Sequence, residues 1–272
     1  MNAPASDKVF AGSVPRFYQE HMVPLIFEPY ARDLAQRVAA LEPARVLEIA
    51  AGTGVVTRHL ASMLPPGTDI VATDLNPGMI DMGRELGTSQ PVQWRQADAM
   101  QLPFADAEFD VVLCQFGVMF FPDKAKAFAQ ARRVLEPGGA LLFSVWDRIE
   151  ENEIADLVTQ ALARVFPQDP PRFMARTPHG YFDPAAIERD LQAGGFSAPP
   201  RIETIAARSV AASPHAAAQA YCQGTVLRNE IEARDAARLD EATNACAAAI
   251  AQRLGNTRVD GKIQAHIVTA LR

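Results

Sequence analysis

The sequence predicts an α/β fold, a doubly wound and mostly parallel sheet of seven strands with helical cover elements. Three observations predict it. Between residues 44 and 147, short apolar runs alternate with helix-period stretches, the pattern of parallel βαβ units with right-handed crossovers. The run Val46-Leu47-Glu48-Ile49 passes directly into the glycine-containing bend Ala50-Ala51-Gly52-Thr53-Gly54. Glu48, Asp74, Asp98 and Gln115 fall at four successive strand ends, where parallel sheets bind their ligands.

Residues 1–12 carry few large apolar side chains and are expected to fray. Residues 17–30 hold Phe17, Tyr18, Phe27 and Tyr30 in a chain that is only 7% aromatic, so this stretch must pack on something. It reads either as a plain lid over the core or as a lid in which Tyr18 also walls a ligand. A helix is expected over 30–41, with Leu34, Val38 and Leu41 on one stripe. The first strand is 45–49, and the helix after it starts near Gly54 and stops at Pro65-Pro66-Gly67. Residues 69–73 form the second strand, closing on Asp74, and Leu75-Asn76-Pro77-Gly78 turns into a helix carrying Met79, Ile80 and Met82. A short third strand, 92–95, ends at Ala97-Asp98. Residues 109–114 are apolar almost throughout, as a strand covered on both faces should be. A helix over 123–135 and the turn Glu136-Pro137-Gly138-Gly139 lead to a fifth strand at 140–145.

The remainder is less regular. The patterns predict a helix at 153–166, a proline-rich loop at 167–181, a helix at 184–193 closed by Gly194-Gly195, and a strand at 201–207. A long helical region follows over 214–254, bent at Gly224, and 262–271 alternates as an antiparallel strand would. The expected organisation is one elaborated domain: a cap (1–43), a ligand-binding core (44–147), and a stretch that completes the sheet and adds a helical cover (148–272).

A chain of 272 residues is long enough for one large α/β domain. Its net charge is −6 and its 26 basic residues are scattered, so no basic stripe exists to neutralise nucleic acid. Cys114, Cys222 and Cys246 show no disulfide or metal-site spacing. No metal is expected, and a reducing compartment fits. The first residues lack a signal-peptide pattern, and no apolar run approaches bilayer length, so the expectation is a cytoplasmic protein without a membrane partner.

Each strand-end residue has a physical role available. Gly52 and Gly54 let the backbone approach a ligand where a side chain would collide. Asp74 is placed to accept both hydroxyls of a ribose. Asp98 suits an exocyclic amine on a purine, with Leu75, Met79 and Ala99 as apolar walls for its ring. A dinucleotide fingerprint would need a third glycine, which this loop lacks. An acid at Glu48 would repel a pyrophosphate and suits a cationic ammonium group.

These motifs together resemble the class I S-adenosylmethionine (SAM)-dependent methyltransferases of the type 11 branch, which includes the ubiquinone-menaquinone C-methyltransferases. Val46 to Gly54 matches that family's first motif. Asp74-Leu75-Asn76-Pro77-Gly78-Met79 matches the second, Gln96-Ala97-Asp98-Ala99-Met100-Gln101-Leu102-Pro103-Phe104 the third, and Phe109-Asp110-Val111-Val112 with Leu135-Glu136-Pro137-Gly138-Gly139 the rest. The resemblance implies SAM as cofactor, S-adenosylhomocysteine (SAH) as its product, a small-molecule acceptor, and a monomer or homodimer. It implies that Glu48 and the loop backbone hold the methionine part, Asp74 the ribose, Asp98 and Ala99 the adenine edge, and Gln115 with Phe116 the surroundings of the sulfonium. The family has glycine at the position of Ala50, so the backbone there is expected to keep a φ that alanine tolerates.

Methyl transfer from a sulfonium needs alignment and desolvation, and a general base only if the acceptor must lose a proton. The base candidates are His21, His179, Tyr181 and Tyr221, all outside the core strands; His59 and His266 read as structural. Two other classes share part of the pattern: a SAM-binding protein without methyl transfer, and a nicotinamide-dependent (NAD) oxidoreductase.

Overall fold

The apolar alternation becomes one seven-stranded sheet in the computed structural model, which describes residues 14–272, the side chain of Val14 excepted. The expected fraying of residues 1–12 lies outside the described residues. The strands are β1 (Arg45–Glu48), β2 (Asp69–Asp74), β3 (Gln93–Gln96), β4 (Phe109–Gln115), β5 (Leu135–Trp146), β6 (Arg201–Ala211) and β7 (Val259–Leu271). Their order across the sheet is β3-β2-β1-β4-β5-β7-β6. β1 to β5 run parallel, and β7 is antiparallel to both β5 and β6. The order reverses between β1 and β4, so the loops leaving those two strands diverge and open a crevice at their carboxyl ends.

The centre of the sheet is buried for the reason the sequence gives. Val46, Leu47, Val111, Val112 and Leu113 have almost no exposed surface, because helices cover both faces. Asp110 breaks the apolar run of β4, and its carboxylate accepts from the backbone N–H groups of Ala44 and Arg45, 2.8 and 2.7 Å away, fixing where β1 starts.

The helices are α1 (Val14–Phe17), α2 (Glu28–Ala39), α3 (Val55–Met63), α4 (Pro77–Leu86), α5 (Lys124–Val134), α6 (Glu153–Val165), α7 (Phe173–Arg176), α8 (Pro184–Ala193), α9 (Pro214–Gln223), α10 (Leu227–Asp235) and α11 (Leu239–Leu254). Between α1 and α2 runs a ten-residue π-helix, Tyr18–Phe27. Pro24 sits inside it, and a proline has no N–H to donate and crowds the carbonyl four residues back in an α-helix. The aromatic lid of the sequence reading is this wider helix, with Met22, Val23, Leu25, Ile26 and Phe27 buried.

Several boundaries move. The helix expected over 30–41 ends at Ala39. Leu41 is therefore off the stripe and 48% exposed, since Pro43 disfavours helical backbone at Glu42, whose φ is +50°. The turn expected at 136–139 is absorbed into β5, where Leu135 already pairs with Phe109 and the register then shifts. The loop expected at 167–181 contains α7, and the long helix expected over 214–254 is three. Its break at Gly224 matches the bend read from the sequence: a Cβ there would lie 2.6 Å from the Ala220 carbonyl oxygen and 2.9 Å from the Phe17 ring. Among the described residues, no helix is long and apolar enough to cross a membrane.

Candidate functional site

The loop between β1 and α3 is held by both neighbouring strands. Ile49 N–H donates to Leu113 and Ala51 N–H to Thr73. Ala50, Gly52 and Gly54 have φ of +54°, +56° and +80°. The expectation for Ala50 is therefore corrected: it occupies the left-handed region, at a cost of about 1–2 kcal/mol for a residue with a Cβ. Its methyl group also fixes Gly117, where a Cβ would fall 2.7 Å from it.

Asp74 ties this loop to the next one. Its Oδ2 accepts from Gly52 N–H at 2.9 Å and its Oδ1 from Asn76 N–H at 2.8 Å. Burial raises its pKa, and the N–H groups of Asn76 and Gly52 pull it back down. Asp98 uses Oδ1 to accept from Met100 N–H at 2.8 Å, closing the turn after β3.

One cavity opens over these strand ends. On the β1–β2–β3 side its wall is Ala50, Gly52, Asp74, Leu75, Met79, Asp98 and Ala99. On the β4–β5 side it is apolar, with Phe27, Phe116, Phe120, Trp146, Phe173 and Met174. Phe116 lies flat on Trp146, ring centres 3.8 Å apart and planes 4° from parallel. Tyr30 meets both edge-on at 5.4 Å. Phe116 itself has φ +51°, a conformation costly for a bulky residue and persistent only where the surroundings enforce it. Tyr18, from the π-helix, closes the wall beside Gly52. Among the described residues, no Lys, Arg or His is part of the lining.

Of the cofactor residues expected from the sequence, Tyr18, Ala50, Gly52, Asp74, Leu75, Met79, Asp98, Ala99, Gln115 and Phe116 line this cavity, and Glu48 and Gly54 do not. Glu48 is 1% exposed and accepts from the Thr57 hydroxyl on α3. It thus stands behind the loop, as the side-chain alternation of a strand allows, and does not reach the cavity. Burial pushes its pKa up to about 8, so the charge argument for a cationic ligand passes from Glu48 to Asp74 and Asp98. Gly54 is a packing residue: a Cβ there would lie 2.4 Å from the Trp94 ring.

Glu48 carries a pH prediction. Its carboxyl titrates near 4.5 when free and near 8 in the fold, so the folded state holds the proton more tightly. Its contribution to stability is complete below about pH 4.5 and is lost as pH rises through about 8. Glu48→Gln keeps an acceptor for Thr57, and it is expected to be more stable than the native chain at pH 8 and to flatten the fall in stability between pH 5 and pH 8. Urea unfolding at the two pH values checks this; an unchanged pH dependence would mean that Glu48 is already ionised in the fold.

The four base candidates are not in the lining. His179 is buried with Nδ1 2.8 Å from the Asp147 carbonyl oxygen, and burial lowers its pKa to about 4, so it is neutral. Tyr181 donates to Asp190 at 2.8 Å; burial and that carboxylate raise its pKa. Tyr221 is 2% exposed and its pKa is raised by burial. His21 packs on Phe17, ring centres 4.1 Å apart. His59 and His266 are structural, contacting Glu28 at 2.8 Å and Asp147 at 3.3 Å. Among the described residues, no group of three or more His, Cys, Asp or Glu is placed to hold a metal.

Sequence reasoning missed Phe120, Trp146, Phe173 and Met174, which come from the strand ends and cover of the β4–β5 side. Their one legible signal was position, since Phe120 follows the end of β4 that the sequence had singled out, and Trp146 is the last residue of β5.

Comparisons with known proteins agree with this geometry. The family described as "Methyltransferase domain" matches residues 47–143. Similar curated proteins include the ubiquinone/menaquinone biosynthesis C-methyltransferase UbiE of Ectopseudomonas mendocina, 45% identical over 102 residues, covering 36% of this chain and 40% of the relative. The demethylmenaquinone methyltransferase of Deinococcus radiodurans is 35% identical over 142 residues, covering 51% of this chain and 58% of that one. The chain thus spans about half the length of these relatives. Among solved structures, the [4+2]-cyclase SpnF has a TM-score of 0.58 at 16% identity, covering all of this chain and 98% of that one. The phosphoethanolamine N-methyltransferase 2 of Haemonchus contortus, in complex with S-adenosyl-L-methionine, has a TM-score of 0.56 at 15% identity, covering 96% of this chain and 56% of that one. At such identities the likeness is one of fold.

Proposed function

We infer, from the class I SAM-dependent methyltransferase domain that residues 47–143 constitute, that the chain transfers the methyl group of SAM to a small, apolar, uncharged acceptor. The observation that carries this is the cavity itself: Asp74 bridges the glycine loop on one side, an aromatic wall faces it on the other, and among the described residues no basic side chain stands between them to hold a pyrophosphate. Bound SAM would supply a methyl group already activated by the sulfonium.

The residues then divide the work. Asp74 accepts from the ribose hydroxyls, Asp98 with Leu75, Met79 and Ala99 receives the adenine, and Gly52 lets the backbone come close. Phe27, Phe116 and Trp146 keep water from the acceptor and give an aromatic ring a stacking surface. Among the described residues, the titratable side chains in the lining are Tyr18, Asp74 and Asp98. Burial and the charge of Asp74 hold Tyr18 protonated. The described lining on the aromatic side therefore offers no base, and the acceptor must be nucleophilic while uncharged, such as an amine or a phenol-type compound whose proton leaves to solvent as the methyl bond forms. In this reading the described part of the cap, residues 14–43, and the cover after residue 147 belong to one domain, expected to work in the cytoplasm as a monomer or homodimer. Labelled-methyl transfer from SAM to a panel of phenols, quinols and amines tests this reading: uncharged apolar acceptors are expected to be methylated and charged ones not. The fold shared with a [4+2]-cyclase marks the second reading, SAM binding without methyl transfer, which SAM binding with no methylation across the panel would favour.

A further inference from the structure

Gln115 ends β4 and lines the cavity beside Phe27 and Phe116. Its Nε2 donates to the Phe27 carbonyl oxygen at 3.5 Å, the outer limit of such a bond. That contact sets which end of the carboxamide is the oxygen, and the oxygen, Oε1, is buried without a hydrogen-bond partner. Such an orphan is costly, and each one in a folded protein asks for a reason. Arg132 Nε and Ser209 Oγ share that condition, and neither belongs to a residue lining the cavity. Of the hydroxyls in the described lining, that of Tyr18 stands beside Gly52 on the cofactor side, and that of Thr225 donates to the Tyr221 carbonyl at 2.8 Å and accepts from Leu227 N–H at 3.1 Å. Gln115 thus brings an unengaged acceptor to the aromatic side of the cavity. A glutamine's terminal torsion is broad, so a small turn brings Oε1 into the cavity.

We propose that Gln115 selects and orients the methyl acceptor, with Oε1 accepting a hydrogen bond from a hydroxyl or N–H on an otherwise apolar molecule lying against Phe116 and Trp146. This rests on the methyltransferase reading of the same cavity and adds what that reading lacks, a group that tells one apolar acceptor from another. A site that pairs a donor in this way rejects the analogue lacking it, because the buried oxygen then stays unpaired.

The test uses SAH-loaded protein and two probes of one shape, 2-naphthol and naphthalene, followed by quenching of tryptophan fluorescence. Native protein is expected to bind 2-naphthol at least tenfold more tightly. Gln115→Leu, kept saturated with SAH, should bring the two affinities within about twofold, with Gln115→Met as the second variant should leucine pack badly. Removing the orphan oxygen should also raise the melting temperature of the ligand-free protein; a fall would mark the side chain as part of the fold and overturn the assignment. SAH binding with equal affinity for the two probes, with a preference that survives in both variants, or with binding of neither probe overturns this inference alone. Absence of SAH binding overturns the methyltransferase reading and this inference with it.

Discussion

Replacing Asp74 with alanine is expected to weaken SAM binding by about 1–3 kcal/mol, roughly fivefold to 150-fold. Two losses add. The ribose hydroxyls lose their acceptor, and Gly52 N–H loses the carboxylate that holds it at 2.9 Å, so the loop is no longer pinned in its left-handed conformation. Asp74→Asn keeps one oxygen for either role and should fall between the native chain and the alanine variant. Titration calorimetry with SAM reads the effect directly. A dissociation constant that does not change on truncation would remove Asp74 from the cofactor site.

The second large effect lies behind the loop. Gly54→Ala forces a Cβ onto a residue at φ +80° and drives it to 2.4 Å from the Trp94 ring. Backbone strain and displacement of the indole together are expected to cost about 2–4 kcal/mol of stability. Trp94 has no easy retreat, since Gly83 on α4 lies against the same ring, 2.5 Å from where its own Cβ would be. The ring fills a slot between α3 and α4 that exists because both positions are glycine. In a Trp94→Phe background, where the outer ring atoms are gone, Gly54→Ala should cost only the backbone share, about 1–2 kcal/mol. Urea unfolding of the four proteins measures the coupling; equal costs in the two backgrounds would show that the indole is not what Gly54 makes room for.

Glu48 and Asp74 show how far the sequence could be read. Both were found because each closes an apolar run, and position at a strand end is visible in the residue pattern. Which way each side chain points was not. Asp74 faces the cavity and Glu48 turns under α3 to Thr57, a difference settled by the side-chain alternation of two neighbouring strands and by the glycine loop between them. The first glycine pair likewise divided: Gly52 faces the cavity, while Gly54 serves packing.

The aromatic side was less legible for a different reason. Tyr18 and Phe116 sit in stretches whose composition or motif drew attention. Phe173 and Met174 lie on a four-residue helix inside what reads as a proline-rich loop, and no periodicity of one turn can announce itself. The π-helix from Tyr18 to Phe27 was also beyond the pattern, because its turn is wider than the 3.6-residue period by which helices are recognised. The base candidates failed on burial. His179, Tyr181 and Tyr221 are each committed to the packing or hydrogen bonding of the cover, which a sequence does not distinguish from a site facing a ligand.

The claim on which the rest depends is that this cavity takes SAM rather than a nicotinamide dinucleotide. Parallel calorimetric titrations of one protein preparation with SAM, SAH and NAD address it most directly. Saturable binding of SAM and SAH, with no heat of binding from NAD, is the predicted result; binding of NAD without SAM would contradict it.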